Sequence, residues 1–336
     1  MYMGAATARI LAEAAFWSKG WTVRPAGHLS HREPFSIGPF TLTPFLNDHS
    51  AFDAYSLLVE AEGRRLFYTG DIRGHGRKAA IFEDLLRRPP SGIDVLLMEG
   101  TNVSPEHGAP PARAMTEQEL ELNLVREFRD CPRIVLVCYS AQNIDRMVTL
   151  YRATLKSERN FVMDLYGASV ATATGTESIP RPGGHWDRVR VYVPPNQRRK
   201  VKVAGQFDRV EAIRPFRVFE EDLARSPANY VLTFRADSMA FLERAGVLTG
   251  ARAVWSMWPG YLDEPSGVRL RQRLQAAGIP LTIQHTSGHA SITDLQRLAG
   301  AIDARTVVPI HSFGGPRYAE LFDNVVVHPD GVWWEV

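Results

Sequence analysis

Two cysteines in 336 residues are too few for a disulfide framework, and both sit beside one apolar run of strand type, Ile134 to Cys138, with Cys131 just before it and Cys138 at its end. That usage suits a reducing compartment and predicts a cytoplasmic protein. Long hydrophobic runs are missing as well. The longest, such as Ile134 to Cys138 and Val307 to Ile310, are strand-sized and far short of the ~20 residues a bilayer crossing needs, so no membrane partner is expected. The first residues lack the basic, apolar and small-residue succession of a secretory signal. An excess of charge is lacking too: 39 Lys and Arg against 37 Asp and Glu leave +2, so any affinity for a polyanion must be local. There is no internal repeat and no low-complexity tract. What remains is an ordinary globular composition, 45% hydrophobic and 23% charged, in a chain with room for two domains at roughly 150 residues each.

The hydrophobic pattern alternates between strand and helix periods. Ala5 to Ser18 reads as a helix; Phe40 to Leu46, Tyr55 to Glu60 and Arg65 to Thr69 read as a β-meander turned at Glu62-Gly63. A helix around Lys78 to Arg88 ends at Pro89-Pro90, and Ile93 to Met98 is a buried-strand run. Thr116 and Glu119 frame a capping box for a helix to about Phe128, followed by the strand Ile134 to Cys138 and a helix from about Gln142 to Leu155. Between Ala168 and Arg217 the pattern weakens into Gly, Pro and basic residues, including Arg198-Arg199-Lys200. Alternation returns from Tyr230 to Ile310, and Val325 to Val327 with Val332 to Trp334 predict a closing hairpin. The class is α/β.

Histidine and carboxylate residues gather at predicted strand ends, where α/β folds hold ligands. Asn47-Asp48-His49-Ser50 follows the strand ending at Leu46, Thr69-Gly70-Asp71 follows the strand ending at Tyr68, and His311 follows Val308-Pro309-Ile310. Imidazole and carboxylate from distant segments suit a hydrolytic metal site, although each residue alone is more often a capped turn residue. Glu99, at the end of the run Ile93 to Met98, has the chemistry either to orient a ligand histidine or to cap its turn. In His285-Thr286-Ser287-Gly288-His289-Ala290-Ser291, placed before a helix, glycine permits close approach and the serines and histidines offer donors to a phosphate; the plainer reading is an N-cap at Ser291. Cys138 reads as core, because no nucleophile-elbow pattern surrounds Cys138-Tyr139-Ser140. His75, among cations, reads as standing near the mouth of the site without a direct metal role.

Taken in order, Asp48-His49-Ser50, Thr69-Gly70-Asp71, Glu99-Gly100-Thr101-Asn102, His285-Thr286-Ser287-Gly288-His289-Ala290 and Val308-Pro309-Ile310-His311 resemble successive motifs of the metallo-β-lactamase superfamily. The Ser-Gly-His-Ala element some twenty residues before a Pro-Ile-His element resembles its RNA-metabolising, β-CASP-containing branch, of the ribonuclease J kind. The resemblance runs from about Phe40 to His311. It implies a four-layer αβ/βα fold with an inserted α/β β-CASP-like domain: residues 1–104 and 256–336 forming the hydrolase domain, 105–255 the insertion. It implies His49, Asp71 and His311 as metal ligands, with Asp71 bridging two zinc ions, and Glu99 and His289 as catalytic residues, His289 on the scissile phosphate. Ser287, Gly288, His285, Arg198, Arg199 and Lys200 are the expected substrate contacts, and RNA or another nucleic acid the expected partner.

Two departures matter. Asp145 stands where the branch carries a histidine, and the superfamily's His-x-His-x-Asp-His motif is absent. His28-Leu29-Ser30-His31 lacks its carboxylate and neighbours and reads as a surface loop. The chain therefore reads as N-terminally incomplete, with zinc held weakly or not at all, hydrolysis impaired, and apolar surface and a sheet edge left for an oligomer or partner to cover. Three functions stay open: a metal-dependent phosphodiesterase, a ribonuclease above all; a non-catalytic relative that binds nucleic acid or protein; and a related hydrolase of a different substrate such as a thioester or lactone.

Overall fold

The computed structural model describes residues 1–18, 22–103, 113–235, 238–312 and 315–336. The chain divides into two units, one built from residues 1–8, 24–116 and 287–336 and the other from 9–23 and 117–286.

In the first unit, apolar residues at every second position build a six-stranded mixed sheet. Strands β1 (Tyr2–Gly4) and β2 (Gly27–Leu29) form a separate parallel pair; β3 (Phe35–Ile37), β4 (Phe40–Leu46), β5 (Tyr55–Ala61), β6 (Arg64–Tyr68) and β7 (Val95–Glu99) belong to the main sheet. The β5–β6 turn is made by Glu62 and Gly63, both at positive φ (51° and 77°), as a two-residue hairpin requires. Register puts Thr43, Leu58, Phe67 and Leu96 on one face. Phe67 and Leu96 are fully buried there against Phe82 and Leu85 of helix Ala79–Arg87 and Leu295 and Leu298 of helix Ile292–Ile302. On the opposite face Leu42, Leu57, Val59 and Leu66 are half-buried and Tyr68 is exposed.

The second unit carries an all-parallel sheet of β8 (Val135–Cys138), β9 (Asn160–Asp164), β10 (Val189–Tyr192), β11 (Tyr230–Thr233), β12 (Arg252–Trp255) and β13 (Leu281–Ile283), in the order β10-β9-β11-β8-β12-β13. Its strands are apolar along almost their whole length and buried, as a sheet covered on both faces demands. The chain leaves β8 towards one edge and, after β11, crosses to the other, so the strand order reverses beside β8.

The last strand, β14 (Thr306–Ile310), returns to the first unit and pairs in parallel with β7. Because β4, β6, β7 and β14 all run in one direction, their carboxyl ends lie along the same edge of the sheet. This topology gathers the four motif-bearing loops.

The α/β class is as read from the sequence, but several expectations are corrected. The unit boundaries fall after Thr116 and Thr286, not at 104 and 255, because β13 pairs with β12 and keeps residues 256–286 in the second sheet's unit; the expected boundary between 104 and 105 lies outside the described residues. Residues 9–17 also go with the second unit, where Arg9 donates to the Ala173 and Thr174 carbonyls. The stretch expected to be irregular contains helix Pro195–Ala204, opened by proline at its first turn and closed by Gly205 at φ 67°, the usual placement of both residues. No closing hairpin forms: Val325 bridges Val307 in parallel, while Val332 and Trp333 are exposed. His28 pairs with Met3 in the small sheet rather than lying in a loop. Among the described residues no helix is long and apolar enough to cross a membrane.

Candidate metal centre

Two of the gathered loops, after β6 and β14, and the segment ahead of helix Ile292–Ile302 deliver one compact group. Ligand atoms of Asp71, His289 and His311 lie within 4.8 Å of one another, the sole such histidine and carboxylate cluster among the described residues. His311 follows β14 at φ 48°, and its Nδ1 stands 3.0 Å from Asp71 Oδ1. Asp71 follows β6 after Gly70, whose φ of 58° turns the chain at the sheet edge.

His49 enters from β4. A carbonyl only accepts, so its Nδ1 must donate to the Gly288 carbonyl at 2.7 Å, and its Nε2 presents a lone pair to Asp71 Oδ2 at 3.9 Å. Two electron-rich atoms facing each other at that separation fit a cation between them, and a ring nitrogen fixed by a carbonyl is the usual support of a metal-bound imidazole. Gly288 allows this approach: a Cβ there would lie 2.8 Å from Ser50 Oγ and 3.5 Å from His49 Cε1.

His289 is held the same way from another side. Its Nδ1 is 3.5 Å from Glu99 Oε2 and 3.2 Å from Thr101 Oγ1. Glu99 is fully buried; its two oxygens also accept from the backbone N–H groups of Ala290 (2.9 Å) and Thr101 (3.0 Å). Glu99 thus contacts His289, fixes its loop and also caps its own turn through Thr101, so both roles the sequence left open are present together. Thr101 Oγ1 stands between the two histidines, 3.4 Å from His311 Nδ1.

The expected division of labour changes. His289, which the sequence resemblance places on a phosphate, lies in the candidate group beside Asp71 and His311, with His49 facing Asp71. The anion cradle expected ahead of the helix is also largely spoken for: the N–H of His289 donates to Ser287 Oγ, that of Ala290 to Glu99, and that of Asp294 to the capping Ser291. The capping reading of Ser291 holds beside the role of His289. His285, Arg198, Arg199 and Lys200 belong to the second unit. There the His285 ring accepts from Arg146 at 3.4 Å, Arg198 and Arg199 are exposed on helix Pro195–Ala204, and Lys200 lies 5.7 Å over the Phe16 ring. Asp145 is buried in the first turn of helix Ile144–Lys156.

The sequence reading passed over the clamp on Ser287. Its carbonyl accepts from Arg73 Nη1 (3.0 Å) and His75 Nε2 (2.9 Å), while Asn102 Nδ2 donates to the carbonyls of His289 and Ala290. His75 therefore positions the loop, without a place in the metal group. Arg73 and Asp48 are both fully buried, 3.6 Å apart.

The two buried histidines shift in opposite directions. Burial holds the His49 imidazole down to about 4, although the Asp71 charge opposes it. Burial also disfavours protonated His289, but Glu99 and Asp71 outweigh it and hold this ring above its ordinary value. Between pH 6.5 and 4 the folded state takes up fewer protons at His49 than the unfolded state, so that contribution is complete above 6.5 and is lost on acidification, by roughly 3 kcal/mol at most. For His289 the contribution is present below 6.5 and is lost as pH rises through its elevated value. In chelator-treated protein, urea unfolding from pH 4.5 to 7.5 is expected to show that His49→Gln flattens the acid-side loss whereas His289→Gln steepens it. Equal pH slopes for the two variants would contradict these assignments.

No family model matches the chain. A crystal structure of a protein of unknown function from Enterococcus faecalis V583 is similar to it, at a TM-score of 0.75 and 20% identity, over 98% of this chain and 74% of that one. At that identity the likeness speaks for a shared α/β fold.

Proposed function

We propose that the chain is a metal-dependent hydrolase of phosphodiester bonds, RNA above all, with a metallo-β-lactamase-like first unit and a β-CASP-like second unit. The observation that carries the reading is the convergence of Asp71, His289 and His311, from the loops after β6 and β14 and the segment ahead of helix Ile292–Ile302, within 4.8 Å. With His49 facing Asp71, the group offers three or four protein donors of mixed nitrogen and oxygen type, the number and kind that zinc takes. That set supports one ion rather than the two implied by the sequence resemblance.

A bound ion would supply a water of lowered pKa and charge stabilisation at the reacting centre. The chain's own residues supply the rest. Asp71 contributes the negative charge of the group, and Glu99 keeps the Nδ1 proton of His289 engaged so that its Nε2 is the face left to bind. Arg73, His75 and Asn102 hold the loop that carries His289 against the sheet edge. The phosphodiester preference rests on the ordered motifs from Asp48 to His311. Because the loop amides of His289 and Ala290 are already used, recognition of the substrate's anionic oxygens falls to side chains.

The test is hydrolysis by protein dialysed against chelator and then supplied with Zn²⁺ or Mn²⁺, using bis(p-nitrophenyl) phosphate and end-labelled single-stranded RNA beside a thioester and a lactone. The expected result is phosphodiester cleavage that requires added metal and falls by about two to four orders of magnitude in His289→Ala. Metal-independent cleavage, or turnover of the acyl substrates alone, would overturn the proposal.

A further inference from the structure

The second unit has a cavity of about 370 Å³ at the carboxyl ends of β8, β11 and β12, beside the strand where the sheet order reverses. That is the crevice in which open parallel sheets bind ligands, and the volume lies in the range of small-molecule sites. Its walls include four aromatic rings, Tyr139, Tyr166, Phe234 and Trp255. Among its lining residues only Arg235 is charged at neutral pH.

Two polar groups there are incompletely used. The guanidinium of Arg235 lies 5.2 Å over the Tyr166 ring, and among the described residues its carboxylate contact is a long one through Nε, 3.9 Å from Asp164 Oδ2. Both Asp164 oxygens already accept hydrogen bonds, from the Gly167 N–H at 2.7 Å and Gln197 Nε2 at 2.8 Å. The planar donor fork of Arg235 thus remains available, and such a fork matches carboxylate and phosphate oxygens. Tyr139 is 7% exposed, and its hydroxyl is buried with no hydrogen-bond partner among the described residues, an expensive condition for a cavity wall that meets nothing.

We infer that this cavity is a second ligand site, separate in its residues from the metal centre, for a small planar aromatic anion. The ring stacks among the aromatic walls and its single anionic group meets the Arg235 fork. Two sources share that chemistry, a nucleoside monophosphate and an aromatic carboxylate. The site stands on the second unit alone and is independent of the hydrolase reading.

Calorimetric titration of the full chain with adenosine 5′-monophosphate and, separately, with indole-3-acetate tests it, with adenosine and inorganic phosphate as the ring-only and anion-only controls. Arg235 has a side chain 48% exposed and Ser266, another lining residue, is exposed, so both tolerate replacement without disturbing the core. Binding of at least one ring-bearing anion is expected, about tenfold or more tighter than either control, about 10- to 100-fold weaker in Arg235→Gln, and blocked in Ser266→Phe. Preference for the nucleotide identifies the first source, and preference for the carboxylate the second. Binding of neither anion, or binding that survives either substitution, would overturn the site.

Discussion

Replacing Asp71 with alanine is expected to weaken Zn²⁺ binding by about two to three orders of magnitude, roughly one ligand's share of the binding free energy of a four-ligand zinc site. The argument is one of position. Asp71 is the carboxylate of the group: His311 Nδ1 lies 3.0 Å from one of its oxygens and His49 Nε2 lies 3.9 Å from the other. Without it three imidazoles remain, and the group has lost its one carboxylate ligand atom. His289→Ala and His311→Ala are expected to show losses of the same order. Glu99→Gln, which acts only through His289 Nδ1 and the loop, is expected to cost about 10- to 100-fold. Competition titration against a chelator of known affinity reads all four. If His289→Ala binds zinc like the parent while Asp71→Ala does not, His289 is not a ligand and the phosphate role implied by the sequence resemblance returns.

The position of the site was legible in the sequence because its residues follow apolar strand runs directly: His49 after β4, Asp71 after β6, Glu99 at the end of β7 and His311 after β14. The partition of roles among them was not. Which ring nitrogen of a histidine is left to meet a ligand depends on what engages the other, and for His49 and His289 that is a carbonyl at Gly288 and a carboxylate at Glu99, some 190 to 240 positions away in the chain. The clamp on the loop was equally hidden. Arg73 and His75 grip the carbonyl of Ser287, and a backbone carbonyl leaves no mark in residue type. Thr101 stood within a recognised motif but had no reason to be singled out until β7 and β14 placed it between two histidines. In the second unit the basic run 198–200 concealed a helix whose frame, Pro195 at the start and Gly205 past the end, was present in the sequence and outweighed its polar composition.

The largest loss of folding stability is expected from Asp48→Ala. Asp48 and Arg73 have side chains with no solvent exposure, and Asp48 Oδ2 also accepts from the Gly76 N–H at 2.7 Å, where a Cβ on Gly76 would lie 2.1 Å from Asp48 Oδ1. The segment 73–76 is therefore folded tightly onto this one carboxylate. Removing it takes a counter-charge from a buried guanidinium and the acceptor from an N–H, which costs about 3 to 5 kcal/mol. That is about a fifth or more of the roughly 5 to 15 kcal/mol by which a domain is stable. Asp48→Asn retains an acceptor for Gly76 but not the charge, so it is expected to lose less than the alanine variant. Urea unfolding of both variants at pH 7.5 measures the difference, followed by circular dichroism in the presence of chelator so that metal binding does not contribute. An alanine variant within about 1 kcal/mol of the parent would show that Arg73 is solvated or otherwise compensated, and that Asp48 is free for another role at the sheet edge. A large loss makes Asp48 the structural carboxylate of the edge, with Asp71, 38% exposed, left as the one that faces a ligand.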